Sequence, residues 1–234
     1  MSGENVEIRQ SHPDNCHHFG DFTHYRGLLF LPLEKCRSGV TNRIYVYDTQ
    51  LRERKRGFFR NEYQSTKAPW IGIHPHNGFM YSSKFRTSRI NVYSRFFEQD
   101  AHLTPLHQIQ LDYYVRGIQG GVFSDNGWLY LSTNEWSTGN SGFSTTRDRM
   151  IKPGILVFRI QGKKGQFVRY ISTGGLTKSI LASEEMEGLT IWPLNSNQSP
   201  RVQESQLHWI LLDNDASHDD VTMKHIRFSH PNRL

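Results

Sequence analysis

Glu34, Asn134, Glu187 and Asp213 are the residues of this chain whose types could act together on a small charged partner. Three carboxylates and one amide form an oxygen-rich set. Hard cations such as Ca²⁺ or Mg²⁺ take such sets, with carboxylates supplying charge and amides filling the coordination shell. His18 is a candidate general base beside Glu34 or Glu187. Trp70, Gln119, Asn134 and Trp136, with Phe85 nearby, suggest a second kind of site. Aromatic faces stack on the C–H faces of sugars while amides and carboxylates take the hydroxyls. The alternative for these tryptophans is ordinary core packing, and for the polar set a water-filled channel.

Other chemistries find less support. Asp213-Asn-Asp215 and Asp219-Asp220 form the densest acidic cluster, but an EF-hand counted from Asp213 would need glycine and glutamate where His218 and Lys224 stand. A turn with solvated carboxylates fits that segment better. Cys16-His17-His18 with His24 has zinc-ligand types without the spacing of a closed zinc motif. No Gly-x-Ser-x-Gly elbow occurs.

These residues lie far apart in sequence, so something must bring them together, and an internal repeat supplies it. Phe19–Glu34, Trp70–Phe85 and Gln119–Asn134 align almost without gaps, with turn glycines Gly27, Gly78 and Gly127 at spacings of 51 and 49 residues. Each unit reads as a small glycine-containing strand, a tight turn, an apolar strand, an alternating strand and an outer strand. His76-Asn-Gly78 and Asp125-Asn-Gly127 carry the Asn-Gly pair that tight hairpins favour. A stretched fourth unit follows, with strands at Glu187–Trp192, Leu207–Leu212 and Val221–Phe228 and a polar insertion at Asn195–Ser205. Helix signals are poor, Lys178–Glu185 being the one candidate.

An all-β repeat of this length is the mark of a β-propeller. The expected fold is therefore one propeller of four blades, at about residues 16–64, 65–113, 114–174 and 183–234. Residues 4–9 would close the last blade as a borrowed outer strand, removing a bare edge. Five or more blades are expected instead if the chain is a fragment. In either ring the loops entering strand one and leaving strand two open on one face. Phe19, Trp70, Gln119 and Glu187 then meet Glu34, Phe85, Asn134 and Asp213 at one channel mouth. The loop Ser137–Arg149 should overhang that mouth, as a lid or as a connector.

The arrangement resembles the β-propeller superfamily and, at the mouth, its gluconolactonase-like and paraoxonase-like members, in which Glu, Asn and Asp around the channel hold a divalent metal. The site-level resemblance lies in Glu187 of Glu-Gly-Leu, Asn134 of Ser-Thr-Asn and Asp213 of Asp-Asn-Asp. It implies a metal-dependent hydrolase or lactonase with the metal as Lewis acid. Those families typically have six blades; four are counted here.

The bulk numbers fit a globular all-β chain: 36% hydrophobic and 12% aromatic residues, with no run near the roughly 20 apolar residues of a membrane helix. The first residues lack an apolar leader core, so the default compartment is the cytoplasm. Cys16 and Cys36 are too few for a disulfide framework and read as two reduced thiols or as a single bridge. The net charge of +6 gathers around Arg52–Arg60, within a stretch (51–100) holding 10 basic and 4 acidic residues. Without stacking aromatics or a recognition helix this run argues against nucleic acid and for a solvated hairpin guarding an outer strand. A scaffold docking an acidic partner there is the third possibility. The leading functional expectation is a non-catalytic propeller that recognises a small polar ligand, carbohydrate included, or a protein partner at the mouth.

Overall fold

A computed structural model describes residues 16–36, 41–64, 67–135, 137–139, 150–173, 178–179, 182–193, 204–214 and 219–229. The chain is all-β and propeller-like; its described strands hydrogen-bond into three sheets of six, nine and four strands, and along the sequence they group into four successive units that follow the repeat. The first holds β1 (Cys16–Phe19), β2 (Thr23–Tyr25), β3 (Leu28–Cys36), β4 (Arg43–Asp48) and β5 (Glu53–Phe59), followed by a short helix α1 (Asn61–Gln64). The second holds β6 (Gly72–Ile73), β7 (Met80–Ser82), β8 (Arg86–Tyr93), β9 (Ala101–Leu103) and β10 (His107–Arg116). The third holds β11 (Ile118–Phe123), β12 (Trp128–Thr133), β13 (Thr138–Gly139), β14 (Gly154–Gln161) and β15 (Lys164–Ile171). The fourth holds β16 (Lys178–Ser179), β17 (Ala182–Pro193), β18 (Glu204–Asn214) and β19 (Asp219–Ser229).

The repeat fixes this layout locally. Gly27, Gly78 and Gly127 all take positive φ, at 77°, 67° and 83°, a backbone region that costs other residues steric strain. Each glycine turns an inner strand back on its partner. The β3–β4 and β12–β14 ladders then run in continuous register, from Leu28↔Asp48 and from Trp128↔Arg159. Period-two alternation sends one face of each ladder into the neighbouring unit.

Three apolar layers result. Phe30, Ile44 and Val46 of the first unit pack with Ile71, Met80 and Tyr93 of the second. Trp70, Ile90 and Val92 pack with Leu129, Leu131 and Phe158 of the third. Tyr130, Ile155 and Val157 pack with Met186, Leu207 and Trp209 of the fourth. The inner strands crowd at the centre, where a Cβ on Gly72 would lie 3.2 Å from Gly121 O and one on Gly120 would lie 3.1 Å from Gly188 C.

Several expectations need correction. Lys178–Glu185 is not helical; β16 and β17 form a hairpin there, because pairing across Lys178↔Ser183 outweighs a weak helical pattern. The outer strand β5 is an edge over only part of its length: Gly57–Phe59 pair in parallel with β9 through Gly57↔Ala101, and the charged half Glu53–Arg56 stays outside that ladder. In the same way β15 pairs in parallel with β10. The one helix among the described residues, α1, gives no sequence signal. It seats Gln64, whose amide donates to Ser82 Oγ at 2.8 Å and accepts from Tyr93 Oη at 2.7 Å, a buried junction between the first two units. Residues 4–9 lie outside the described part of the chain.

Cys16 is disulfide-bonded, and β1–β3 pairing sets it directly opposite Cys36, the other cysteine of the chain. The reading of two reduced thiols is thereby overturned. Opening the bridge by Cys16→Ser should lower unfolding free energy by about 3 kcal/mol, the usual effect of releasing a loop of about twenty residues. Denaturant titration with and without reductant checks this: the reductant should destabilise the native chain and leave the variant unchanged.

Candidate functional site at the channel mouth

Of the residues expected at the mouth, the structure brings together His18, Glu34, Gln119 and Glu187. His18 and Glu34 face each other across the β1–β3 ladder. His18 Nδ1 lies 3.2 Å from Glu34 Oε1, an ion-pair distance without hydrogen-bond alignment, and its Nε2 lies 3.9 Å from Glu187 Oε1. From the third unit, Gln119 Nε2 donates to Glu187 Oε1 at 3.1 Å and lies 3.5 Å from Glu185 Oε2. Three units thus contribute to one opening: the first through His18 and Glu34, the third through Gln119, the fourth through Glu185 and Glu187.

Exposure separates the roles within it. Glu34 is 1% exposed, and its Oε2 accepts from Ala68 N at 2.7 Å, tying the first unit to the second. The side chains of His18 and Glu187 are 23% and 24% exposed, so these two present themselves to solvent at the mouth. Asn134 turns inward: its Oδ1 accepts from Met186 N at 2.8 Å and joins the third unit to the fourth. Beside it, Glu135 binds the Arg86 guanidinium through both oxygens, with Arg116 Nε 3.3 Å away. Phe85 carries Lys67 Nζ over its ring at 4.0 Å.

Trp70 leaves the ligand-binding set. It is fully buried, its Nε1 donates to Ser83 Oγ at 2.9 Å, and its ring lies flat against Gly121. Period two explains the miss. A residue at the strand entrance faces either the mouth or the next unit, and in the second unit the large apolar ring takes the core face. Asp213 sits at the mouth end of β18, its backbone opposite Glu184 and Asp220. Trp136 and most of the Ser137–Arg149 loop fall outside the described residues. Among the described residues, no three or more of His, Cys, Asp and Glu are spaced to hold a metal ion.

Asp21 is the residue that the repeat alignment passed over. It stands just inside the mouth, where the aligned positions carry Gly72, Gly121 and Leu189. Its carboxylate oxygen Oδ2 accepts from Gly121 N and from Leu189 N, each at 3.1 Å. Its backbone donates to Pro69 O at 2.7 Å and accepts from Ile71 N at 3.0 Å. One residue therefore bonds to all three other units. Burial pushes its carboxyl well above the usual carboxylate range, against the two amide hydrogen bonds, and the Glu187 charge pushes the same way. A lone acidic residue aligned with two glycines and a leucine was the available signal.

The basic run is not a free patch. Asp48 accepts from Arg52 Nε at 2.8 Å and lies 4.0 Å from Arg54, Arg56 meets Asp100 at 2.6 Å, and Arg60 stands 3.6 Å from Glu62. No helix among the described residues is long and apolar enough to cross a membrane.

No protein-family model matches the chain, and no curated protein matches it. Among solved structures, a periplasmic gluconolactonase of Pseudomonas aeruginosa is 11% identical, with a TM-score of 0.40, over 94% of this chain and 74% of that one. That likeness transfers no residue roles to this chain.

Proposed function

We propose that the chain is a four-bladed propeller, closed by residues 4–9, whose mouth binds a small polar ligand rich in hydroxyl or other donor groups, such as a carbohydrate. The carrying observation is the Glu187 carboxylate, partly exposed and shared between Gln119 and His18. With Glu185 it makes an opening dominated by acceptors, which suits a ligand that brings donors.

A second reading keeps Glu34, Asn134, Glu187 and Asp213 as ligands of Ca²⁺ or Mg²⁺ in a metal-dependent hydrolase or lactonase. The observation in its favour is His18 held between two carboxylates, the arrangement a general base uses. Against it, Glu34 and Asn134 each already spend an oxygen on a backbone amide of a neighbouring unit. A protein partner at the mouth, or an acidic one on the Arg52–Arg60 flank, remains the third possibility.

A glycan array followed by calorimetry on the strongest hit tests the proposal. Gln119→Ala and Glu187→Gln should each weaken binding about tenfold, the loss of one or two ligand hydrogen bonds, with chelator making no difference. A calcium-dependent rise in melting temperature that disappears in Glu187→Ala would replace this reading with the metal one.

A further inference from the structure

The first and fourth units face each other across a space that the side chains of the described residues do not fill. The other three junctions are packed apolar layers, whereas here a cavity of about 650 Å³ remains between β2 and β17–β19, floored by β11. It lies at the turn end of the inner strands, beyond Asp21, and so at the opposite end from His18 and Glu187. Its size falls within the range of pockets that hold small organic ligands.

The lining has a definite chemistry. Phe22, Phe123, Ile191 and Met223 supply apolar walls. One polar atom of the β18 face that carries Ile210 into this space lacks a hydrogen-bond partner among the described residues: His208 Nε2, itself buried. An imidazole nitrogen taken out of water with nothing to meet it is in a costly state unless something fills it. The charge here is low. Burial and then the neighbouring His225 hold His208 below the usual histidine range, which leaves it neutral near pH 7, and Asp21, at the inner end, favours its uncharged form. The exposed Asp125 and Arg26 at the rim carry opposite signs.

We propose that this cavity is a second binding site, for an uncharged aromatic or alicyclic molecule carrying a carbonyl or ether oxygen. The apolar walls take the ring system, and the oxygen accepts from the Nε2–H of neutral His208. A charged ligand would lose hydration without finding a counter-ion inside. The site is independent of the mouth, and a failed glycan experiment leaves it untouched.

Prodan, an uncharged naphthalene bearing a ketone, is the probe, titrated into the intact chain and followed by its own emission. The expected result is a blue shift that saturates at one probe per chain. Thr190→Arg, an exposed change that puts a long cation into the cavity, should weaken it by about tenfold or more. His208→Phe keeps a ring and removes the donor, and should weaken it about fivefold. Phe96→Ala, at an exposed aromatic of another unit, should change nothing, and anilinonaphthalene sulfonate, an anion of similar size, should bind more weakly. Circular dichroism confirms that each variant keeps its sheets. Emission that never saturates, binding indifferent to Thr190→Arg, or equal loss in Phe96→Ala overturns the proposal.

Discussion

Asp21→Ala should lower unfolding free energy by about 4 kcal/mol, because two amides from different units lose their common acceptor. Gly121 N and Leu189 N both end on its Oδ2, and a buried donor left unpaired costs about 1–3 kcal/mol. Asp21→Asn keeps an acceptor of the same shape and should cost much less. The pair also reports on pH. The folded-state pKa is raised, so the folded chain holds this proton more tightly than the unfolded one. The resulting stabilisation is fully present below the unfolded value, about 3.9, and is lost as pH rises through the folded one. The stability of the native chain measured against Asp21→Asn should therefore fall as pH rises from about 4. Urea titrations at several pH values check this. A difference that grew with pH would mean that the group is held as a carboxylate.

Trp70→Ala should cost a similar amount, about 4 kcal/mol, through loss of a buried aromatic between the second and third units. Its more telling partner is Gly121. A Cβ there would come within 2.3 Å of the indole ring, so Gly121→Ala alone should cost about 2 kcal/mol by overpacking. In the Trp70→Ala background the clash has no partner, and the same substitution should cost almost nothing. A double-mutant cycle read by thermal unfolding gives the coupling directly. Strict additivity would show that the ring and the glycine are not in contact.

Much of the fold was legible because the repeat speaks through backbone chemistry. The Asn-Gly turns demand positive φ and the alternating strands demand two-sided surroundings, so strand order and inner-strand convergence followed from residue types alone. Convergence at the mouth was legible for the same reason, and Glu34, Gln119 and Glu187 meet as aligned positions should. Trp70 was misjudged because alignment gives depth along a strand but not which face a side chain takes. Asp21 was missed because its importance lies in two amide donors from distant segments, and backbone donors leave no mark in a sequence. The β5–β9 and β10–β15 pairings were hidden as well, since parallel contacts between units obey no local pattern.

Those two parallel ladders have a mechanical consequence. They stitch the first three units together along their outer margins as well as at the hub. The fourth unit has no such lacing among the described residues; its ties gather at the hub, through Asp21, Asn134, the Gln119 and His18 contacts to Glu187 and the apolar layer shared with the third unit. It hangs like a leaf bound only at the spine. A small swing about that line would widen or narrow the far chamber while the other three leaves stay clasped.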